Sequence, residues 1–144
     1  MLSRKNTGSK RMEIQEYTRF DAAQILSLYG SVGWIAYTEH PETLRAGFEN
    51  SLLVLAAYEG ETLIGLLRAV GDGQTVVLLQ DILVLPAYQR RGVGTALMRE
   101  ALQRFNAVRQ VQLVTDDRPE TVAFYASLGF RPLQSLGCKG YMRG

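Results

Sequence analysis

The sequence predicts a mixed α/β fold, with a central sheet that is antiparallel in its N-terminal half and parallel after the fourth strand. Short apolar runs separated by turn residues predict the antiparallel half. A later strand–helix–strand succession predicts the parallel half, because parallel neighbours need a crossover connection. We expect about four helices to flank this sheet. The chain has 144 residues, of which 47% are hydrophobic and 21% charged, as is typical of one globular domain.

The first eleven residues differ from the rest of the chain in charge. They contain four basic residues and no acidic one: Arg4, Lys5, Lys10 and Arg11. We interpret 1–11 as a flexible basic leader, or as an artificial extension before a natural start at Met12, and 12–144 as a single domain. The whole chain has 16 basic and 14 acidic residues, so without these four the balance is 12 against 14. A nucleic-acid-binding fold carries positive charge on the fold itself, so we expect no nucleic acid partner.

Composition excludes further classes of protein and site. No apolar run approaches the roughly 18 residues that cross a bilayer, so we expect no membrane partner. The single cysteine excludes an internal disulfide and suits a reducing cytoplasm, where we expect the protein. With one histidine and one cysteine, an ordinary zinc site is not expected.

The N-terminal third predicts one strand and two helices. Residues 13–17 have the pattern of a short strand. Asp21 is placed to cap a helix, and Pro41 is a favoured first-turn residue for a second helix that ends at 50–51. The apolar face of the first helix repeats at helical spacing: Ala22, Ile25, Leu26 and Tyr29. Between the two helices, 31–37 is expected to be an apolar, aromatic loop.

The middle of the chain predicts three consecutive strands, 52–58, 62–70 and 75–85, joined by short turns at 59–61 and 71–73. After a glycine turn and a helix, 111–115 predicts the parallel strand.

The C-terminal part predicts a helix followed by closing strands. Residues 116–119 open the helix, which carries Val122, Tyr125 and Leu128 on one face. Gly129 fits the left-handed position that ends it. Residues 130–133 and 139–143 are expected to form the closing strands.

The glycine turn at 89–94, Gln-Arg-Arg-Gly-Val-Gly, lies between a buried strand and a helix. Backbone N–H groups are free at a helix start, so this turn can bind an anion, and arginine adds charge to it. A nucleoside triphosphatase loop would carry a lysine after its last glycine, but Thr95 follows Gly94 directly. A dinucleotide-binding fold would carry three spaced glycines near its first strand. Both nucleotide interpretations are therefore poor.

Segment 89–94 resembles the Gln/Arg-x-x-Gly-x-Gly/Ala turn of the GNAT (GCN5-related N-acetyltransferase) superfamily. Two further segments carry the resemblance. Residues 82–86, Ile-Leu-Val-Leu-Pro, are similar to the family's Ile-x-Val-x-Pro, and 124–130, Phe-Tyr-Ala-Ser-Leu-Gly-Phe, to its Phe-Tyr-x-x-x-Gly-Phe. The resemblance implies the family's fold, with the parallel strands splayed. It also implies transfer of an acetyl group from acetyl-coenzyme A to a primary amine by direct attack in a ternary complex.

The resemblance also implies how the cosubstrate is held. The turn would bind the pyrophosphate through backbone amides, and pantetheine would pair with backbone groups where the fourth strand splays from its neighbour. The residues implied are Leu83, Val84, Gln89, Arg90, Arg91, Gly92, Val93, Gly94, Thr95 and Phe124. Independently of the family, the two glycines let the backbone approach a phosphate closely. Arg90 and Arg91 could instead be solvent-exposed residues of the loop that contact no ligand. No metal is implied.

Two catalytic candidates follow. Tyr125 matches the family tyrosine that lies by the thioester sulfur as general acid, with a core tyrosine as the alternative. Asp81 is the only carboxylate in its apolar run, so it is a candidate to accept a proton through water or to orient a cationic amine. A hydrogen-bonded structural aspartate is the alternative. The family's strand glutamate would fall at Leu78 or Leu79, so no dedicated base is identified.

The acceptor pocket, by resemblance, draws on the loop between the first two helices and on the last strands. Trp34 and Tyr37 are candidate wall residues, together with Tyr141, although Trp34 equally suits core packing. An amine acceptor is the implied partner, and dimers are common among relatives, so a homodimer is allowed.

Other functions stay open at this point. Arg118 and Thr121 replace the asparagine and alanine that often open the family's last helix. This replacement and the missing glutamate leave room for a non-catalytic acyl-coenzyme A-binding or regulatory module on the same fold. An acyl-cysteine route through Cys138 and His40 would need a spatial adjacency that the sequence does not indicate.

Overall fold

A computed structural model of the chain describes residues 11–144. The proposed leader lies outside these residues apart from Arg11. The chain divides into two compact units, at Leu113 and Val114, and each is described by itself. No helix among the described residues combines the length and apolar character needed to cross a membrane. That 12–144 act as one domain stays a prediction.

A five-stranded sheet forms the centre of the first unit. The strands lie side by side in chain order: β1 (Met12–Glu16), β2 (Leu53–Glu59), β3 (Thr62–Gly71), β4 (Val76–Val84) and β5 (Gln110–Leu113). Strands β1 to β4 pair antiparallel, whereas β5 runs parallel to β4. The predicted change of direction after the fourth strand is therefore confirmed.

The turn between β3 and β4 is closed by one carboxylate. Asp72 Oδ1 accepts hydrogen bonds from the backbone N–H groups of Gln74, Thr75 and Val76, at 2.8, 2.8 and 3.1 Å. Its Oδ2 accepts one from the Thr75 hydroxyl at 2.6 Å. These bonds, the hydroxyl bond foremost, hold the pKa of the Asp72 carboxyl well below its ordinary value.

Helices α1 (Ala22–Ser31), α2 (Ile35–Thr38) and α3 (Pro41–Glu49) follow β1. Asp21 caps α1 as predicted, because its carboxylate accepts a bond from the Gln24 N–H at 3.1 Å. The prediction of a loop over 31–37 is wrong in part, since α1 includes Ser31 and α2 begins at Ile35. A single helical turn is too short to show a 3.6-residue period, so its sequence looks irregular.

The core between these helices and the sheet is apolar, and each fully buried large side chain stabilises it by roughly 1.5–3 kcal/mol. Its buried members are Ile25, Leu28, Tyr29, Leu44, Phe48, Val54, Ala56, Leu63, Leu66 and Leu83. Helix α4 (Val93–Arg104) covers the opposite face. Gly65 faces its side chains, whereas the neighbouring Leu66 belongs to the first core, as the alternation of a strand requires.

The second unit, Val114–Gly144, contains helix α5 (Pro119–Ser127) and a 3-10 turn, Leu133–Leu136. The predicted closing strands at 130–133 and 139–143 are wrong, because no strand forms in 114–144. Backbone groups here bond locally instead, from the Ser135 N–H to the Pro132 carbonyl and from the Cys138 N–H to the Leu133 carbonyl, each at 3.0 Å. An alternating pattern predicts a strand, but a strand forms only beside a partner for its N–H and C=O groups.

Candidate functional site

The segment between β4 and α4 is a compact turn with two left-handed residues. A 3-10 turn, Pro86–Tyr88, follows β4 directly. Arg90 then has φ +66° and Gly92 φ +83°. The left-handed region costs an L-residue about 1–2 kcal/mol and glycine almost nothing. Backbone conformation therefore requires a glycine at position 92, whereas Arg90 is strained.

Helix α4 begins with free backbone donors. Its first hydrogen bond runs from the Ala96 N–H to the Gly92 carbonyl at 3.0 Å. Within residues 11–144, no side chain caps the helix, and the N–H groups of Val93, Gly94 and Thr95 have no acceptor. Such donors and the positive end of the helix dipole attract an anion. The arrangement suits a phosphate, although the binding role of these residues stays a prediction.

The side chains of the turn differ in what they contact. Arg91 lies over the Tyr88 ring, 5.3 Å from its centroid, and the Tyr88 hydroxyl donates to Glu59 Oε1 at 3.2 Å. Gln89 Nε2 donates to the last carbonyl of β4 at 3.2 Å. Arg90 is exposed and makes no ion pair or side-chain hydrogen bond with any described residue. Gln89 and Arg91 therefore stabilise the turn itself, and Arg90 leaves its charge available to a ligand.

Gly65 lets the first turn of α4 rest directly on β3. A Cβ atom at this position would lie 2.9 Å from Val93 Cγ1, 3.2 Å from Leu97 Cδ1 and 3.3 Å from the Leu83 carbonyl oxygen. These distances are shorter than the 3.5–4.0 Å at which carbon atoms attract. The absence of a side chain on Gly65 thus sets the height of the free N–H donors above the sheet.

Strand β5 ends before β4 does. Their parallel register runs from Val76–Gln110 to Leu79–Leu113, whereas β4 continues to Val84. Within the sheet, the β5-facing edge of 80–84 has no strand beside it. An extended ligand with amide groups can pair with such an edge by strand addition. The parallel pairing after the fourth strand is confirmed, whereas the splay of the two strands stays a prediction. Because the Leu83 side chain is buried in the core, a ligand at this position would contact its backbone.

Asp81 lies at the centre of a buried polar network on the face of β4 that the N-terminal helices cover. Its side chain is 1% exposed, and its Oδ2 accepts bonds from Arg68 Nε and the Tyr29 hydroxyl, both at 2.8 Å. Its Oδ1 accepts from the Tyr37 hydroxyl at 3.0 Å. Burial, and then the Asp81 charge, raise the pKa of the Tyr29 hydroxyl, which remains a donor. These contacts favour the alternative of a structural aspartate, and a proton-accepting role for Asp81 stays an untested prediction.

Arg68 and Tyr29 are members of this network that the sequence did not reveal. Arg68 is the one basic residue of β3 and Asp81 the one acidic residue of β4, and the two are directly paired across the antiparallel ladder. Arg68 also donates to the Ser51 hydroxyl at 3.3 Å. A lone charge of opposite sign in each of two adjacent apolar strands was the available signal.

Trp34 and Tyr37 are partly buried and pack against the core cluster. The Trp34 ring lies 5.9 Å from the Tyr29 ring in an edge-on arrangement and 6.0 Å from the Tyr37 ring. The Tyr37 hydroxyl bonds to Asp81, whereas Ile35 on the same short helix is exposed. Trp34 therefore packs against the core, which was the alternative to a pocket wall. The role of Trp34 and Tyr37 as pocket walls stays a prediction.

In the second unit, the Phe-Tyr-x-x-x-Gly-Phe motif forms the end of α5. Gly129 has φ +92°, and its N–H bonds to the Ala126 carbonyl at 3.0 Å. The Phe130 N–H bonds to the Tyr125 carbonyl at 3.1 Å, which completes a Schellman motif. The Phe130 ring packs edge-on against Tyr125, 6.0 Å between centroids. The glycine and the second phenylalanine of the motif thus hold Tyr125 in place.

Tyr125 is half-buried and is kept protonated by its surroundings. Its ring also packs edge-on against Phe124, with 4.9 Å between centroids. Burial, and to a lesser extent the Asp116 charge, raise its pKa above 10.0. Arg118 is 68% exposed, and its N–H bonds to Asp116 Oδ1 at 3.0 Å. Tyr125 can therefore donate a proton at neutral pH, although its catalytic role and the cofactor role of Phe124 stay predictions.

Cys138 and His40 lie in different units of the chain, and neither side chain is paired with a catalytic group within its own unit. The Cys138 thiol is exposed and lies 3.8 Å from the Leu136 carbonyl oxygen. His40 is exposed, and its side chain does not cap α3. Nowhere in 11–144 do three or more His, Cys, Asp or Glu side chains cluster as metal ligands. Independence from a metal stays a prediction.

Comparison with known proteins identifies the fold. The model of the acetyltransferase (GNAT) family matches residues 19–130. A solved structure of a GNAT-family acetyltransferase from Streptococcus pneumoniae is similar with a TM-score of 0.84 and 38% identity, over 92% of this chain and 97% of that chain. A second, of the PaiA N-acetyltransferase from Thermoplasma acidophilum in complex with coenzyme A, has the same fold, with a TM-score of 0.69 and 19% identity over 84% of this chain and 90% of that chain.

Curated proteins are similar over part of their length. A Glycine max protein named histone acetyltransferase TAP1 is 32% identical over 126 residues, which are 76% of this chain and 52% of that protein. Three algal and cyanobacterial relatives named ycf52 or ycf52-like N-acetyltransferase are matched over 58% to 63% of their length. The family match, the strand order and the parallel pairing of β5 with β4 agree. The chain belongs to the GNAT acetyltransferase family.

Proposed function

We propose that this chain transfers the acetyl group of acetyl-coenzyme A to a primary amine, on a small molecule, a peptide N-terminus or a lysine. One observation carries the proposal: a single compact turn, residues 85–92, joins the strand whose outer edge is open to the free donors at the start of α4. A ligand with a diphosphate at one end and amides along its arm needs both features within one short segment. Family membership supports acetyl transfer as the general activity.

In this proposal, the N–H groups of Val93, Gly94 and Thr95 hold the diphosphate together with the free guanidinium of Arg90. The backbone of Leu83 and Val84 pairs with the pantetheine amides. The thioester supplies an activated acetyl group. Gln89 and Arg91 act mainly by keeping the turn in shape, because their side chains already bond to β4 and to Tyr88.

The proposed chemistry is direct attack. The amine nitrogen forms a bond to the acetyl carbon, and the carbon–sulfur bond breaks. The Tyr125 hydroxyl protonates the departing sulfur and regains its proton from solvent. Tyr125 holds its proton at neutral pH, as a tyrosine ordinarily does, and burial raises its pKa further. The support for this role is therefore the match of Tyr125 to the family motif and not the pKa shift. The proton lost by the amine passes to water, because the oxygens of the Asp81 carboxylate already accept hydrogen bonds from Arg68, Tyr29 and Tyr37.

Thiol release from acetyl-coenzyme A tests the activity. We expect phenethylamine, spermidine or a lysine-containing peptide to give release above the rate measured without an amine. Binding of acetyl-coenzyme A without any amine-dependent release would contradict the enzyme and favour the acyl-coenzyme A-binding module.

Tyr125→Phe tests the proton donor. General acid catalysis contributes about 100-fold or more, so we expect kcat to fall by that order while the Kd for coenzyme A changes less than about twofold. Because burial raises the pKa of Tyr125, its ionisation should cause no loss of wild-type rate near neutral pH. The matched control is Tyr58→Phe, which removes a hydroxyl that makes no hydrogen bond within residues 11–144 and has no proposed role in the site. Equal rates for the two variants would remove Tyr125 from the mechanism.

A further inference from the structure

Gln80 lies at a point where β4 changes its relation to both neighbouring strands. On the β3 side, Arg68 pairs with Asp81 and Ala69 pairs with Leu79, so Gln80 is an extra residue in a β-bulge. On the β5 side, Leu79 is the last paired residue. Gln80 is therefore the first residue of β4 beyond the end of its pairing with β5. Bulges re-aim side chains and are frequent next to active sites.

The bulge directs two consecutive side chains to the same hydroxyl. Gln80 Nε2 donates to the Tyr37 hydroxyl oxygen at 3.3 Å, and the same hydroxyl donates to Asp81 Oδ1 at 3.0 Å. In a regular strand, neighbouring side chains point to opposite faces, so a single residue on α2 would not contact both. The bulge thus places Gln80 on the face covered by the N-terminal helices.

The network also fixes which end of the Gln80 amide faces outward. The Asp81 carboxylate, paired with Arg68, only accepts hydrogen bonds, so the Tyr37 hydroxyl must give its proton to it. The Tyr37 oxygen can then only accept, and Gln80 must turn its NH2 group toward it. Gln80 Oε1 consequently points away, on an exposed side chain, and has no hydrogen-bond donor among residues 11–144.

We propose that Gln80 Oε1 accepts a hydrogen bond from the acceptor amine, and that Tyr37 and Asp81 are positioning residues that orient it. This inference rests on the proposed acetyl transfer and names the side chain that gives the site its preference for a primary amine. A primary amine retains one N–H for Gln80 when the other proton is lost, whereas a secondary amine does not. The site therefore selects primary over secondary amines at the open edge of β4.

The test uses Gln80→Met, which keeps the length of the side chain and removes both amide groups. Gln103→Met on α4 is the control, because it changes an exposed glutamine that is outside this network. The probes are phenethylamine and N-methylphenethylamine at saturating acetyl-coenzyme A. One hydrogen bond corresponds to about a tenfold change, so we expect Gln80→Met to raise the KM for phenethylamine about tenfold. The Kd for coenzyme A should stay within about twofold of wild type on the same scale.

Tyr37→Phe separates positioning from contact. It leaves the Gln80 amide in place but free to rotate, so the KM for phenethylamine should rise by less than in Gln80→Met, and kcat should change little. The preference for phenethylamine over its N-methyl form should shrink in both variants and persist in Gln103→Met.

The two proposals fail in different ways. A wild-type chain that acetylates neither phenethylamine nor any other amine contradicts the acetyltransferase and, with it, this role of Gln80. A wild-type chain that acetylates phenethylamine, with an unchanged KM and amine preference in Gln80→Met, overturns the role of Gln80 alone.

Discussion

Gly92 and Arg90 both have a left-handed backbone conformation, but only Arg90 loses conformational energy by adopting it. Gly92 at φ +83° is the residue after which α4 begins, and a Cβ there would meet no atom within 4 Å. Glycine is therefore favoured at this position because of the backbone conformation and not because a side chain would collide with a neighbour. Arg90 at φ +66° bears strain in the same turn, and it is the residue whose charge is free for a ligand. Strained residues persist where the surrounding structure holds them, often at binding sites.

Gly92→Ala should weaken both the fold and the cosubstrate site. A left-handed alanine costs about 1–2 kcal/mol, which urea unfolding can measure. If the turn relaxes to avoid the strain, the N–H donors of α4 move, so the Kd for coenzyme A should rise as well. Gly30→Ala is the control, because Gly30 lies within α1 and an added Cβ would approach only Thr38, at 4.0 Å.

We expect Gly30→Ala to stabilise the protein by about 0.5–1 kcal/mol, as alanine does in helices. Equal loss of stability in both glycine variants would refute the conformational role of Gly92.

At the scale of elements, the position of α4 depends on the missing side chain of Gly65. Val93 and Leu97, from successive turns of the helix, approach this glycine, and Val93 is also the first helical residue. Packing and ligand contact are therefore coupled through one element: what moves the helix off the sheet also moves its free donors.

Gly65→Ala should separate α4 from β3. The new methyl would lie 2.9 Å from Val93 Cγ1 and 3.3 Å from the Leu83 carbonyl oxygen. Overpacking of this kind costs about 1–3 kcal/mol, which should lower the urea midpoint. Isothermal titration should show weaker binding of coenzyme A than in Gly30→Ala. Unchanged stability and affinity would mean that α4 does not depend on this close approach.

The β3–β4 turn predicts a dependence of stability on pH. The pKa of Asp72 lies below its ordinary value of 3.8, so the ionised side chain stabilises the folded state above that pH. The contribution is lost as the pH falls from about 4 through the lower folded pKa, where the carboxylate gains a proton. Asp72→Ala should therefore be less stable than wild type at pH 7, and the difference in urea midpoint should narrow below pH 4.

Asp117→Ala is the control for Asp72→Ala, since Asp117 is exposed and makes no side-chain hydrogen bond within the described residues. A difference in midpoint between wild type and Asp72→Ala that stayed constant from pH 7 to pH 3 would contradict the assignment.

At the scale of the whole first unit, the Arg68–Asp81 pair joins the sheet to the helices. The two charges lie on adjacent strands, and Tyr29 and Tyr37 connect them to α1 and α2. A buried pair adds little net stability by itself, but the loss of one partner leaves an uncompensated charge.

Arg68→Met should therefore lower the free energy of unfolding by about 3–5 kcal/mol, because it leaves the buried Asp81 carboxylate without its cationic partner. The double variant Arg68→Met/Asp81→Asn should recover part of this loss, since it removes both charges and keeps an acceptor for the tyrosines. Additive losses in the double-mutant cycle would show that the two groups do not interact. As a surface control, Arg104→Met breaks the solvent-accessible pairs with Glu16 and Glu100 and should cost about 1 kcal/mol or less.

The sequence predicts a structural feature well when that feature depends on residues close together in the chain, and poorly when it depends on distant segments. The cap at Asp21, the helix from Pro41 and the helix end at Gly129 were predicted correctly, because each depends on a few adjacent residues. The one-turn helix α2 was missed because four residues show no period. The closing strands were wrong because strand formation depends on a partner elsewhere in the chain.

The sequence by itself determined the change from antiparallel to parallel strands, the glycine turn before α4 and the family. These follow from local patterns of apolar, turn and glycine residues. Only the tertiary structure decided which side chains meet: Asp81 with Arg68 and two tyrosines, Gln80 with Tyr37, and Gly65 with α4. Such contacts depend on the register between strands and on a bulge that shifts it by one residue. No local pattern encodes that shift, because it arises when distant segments pair.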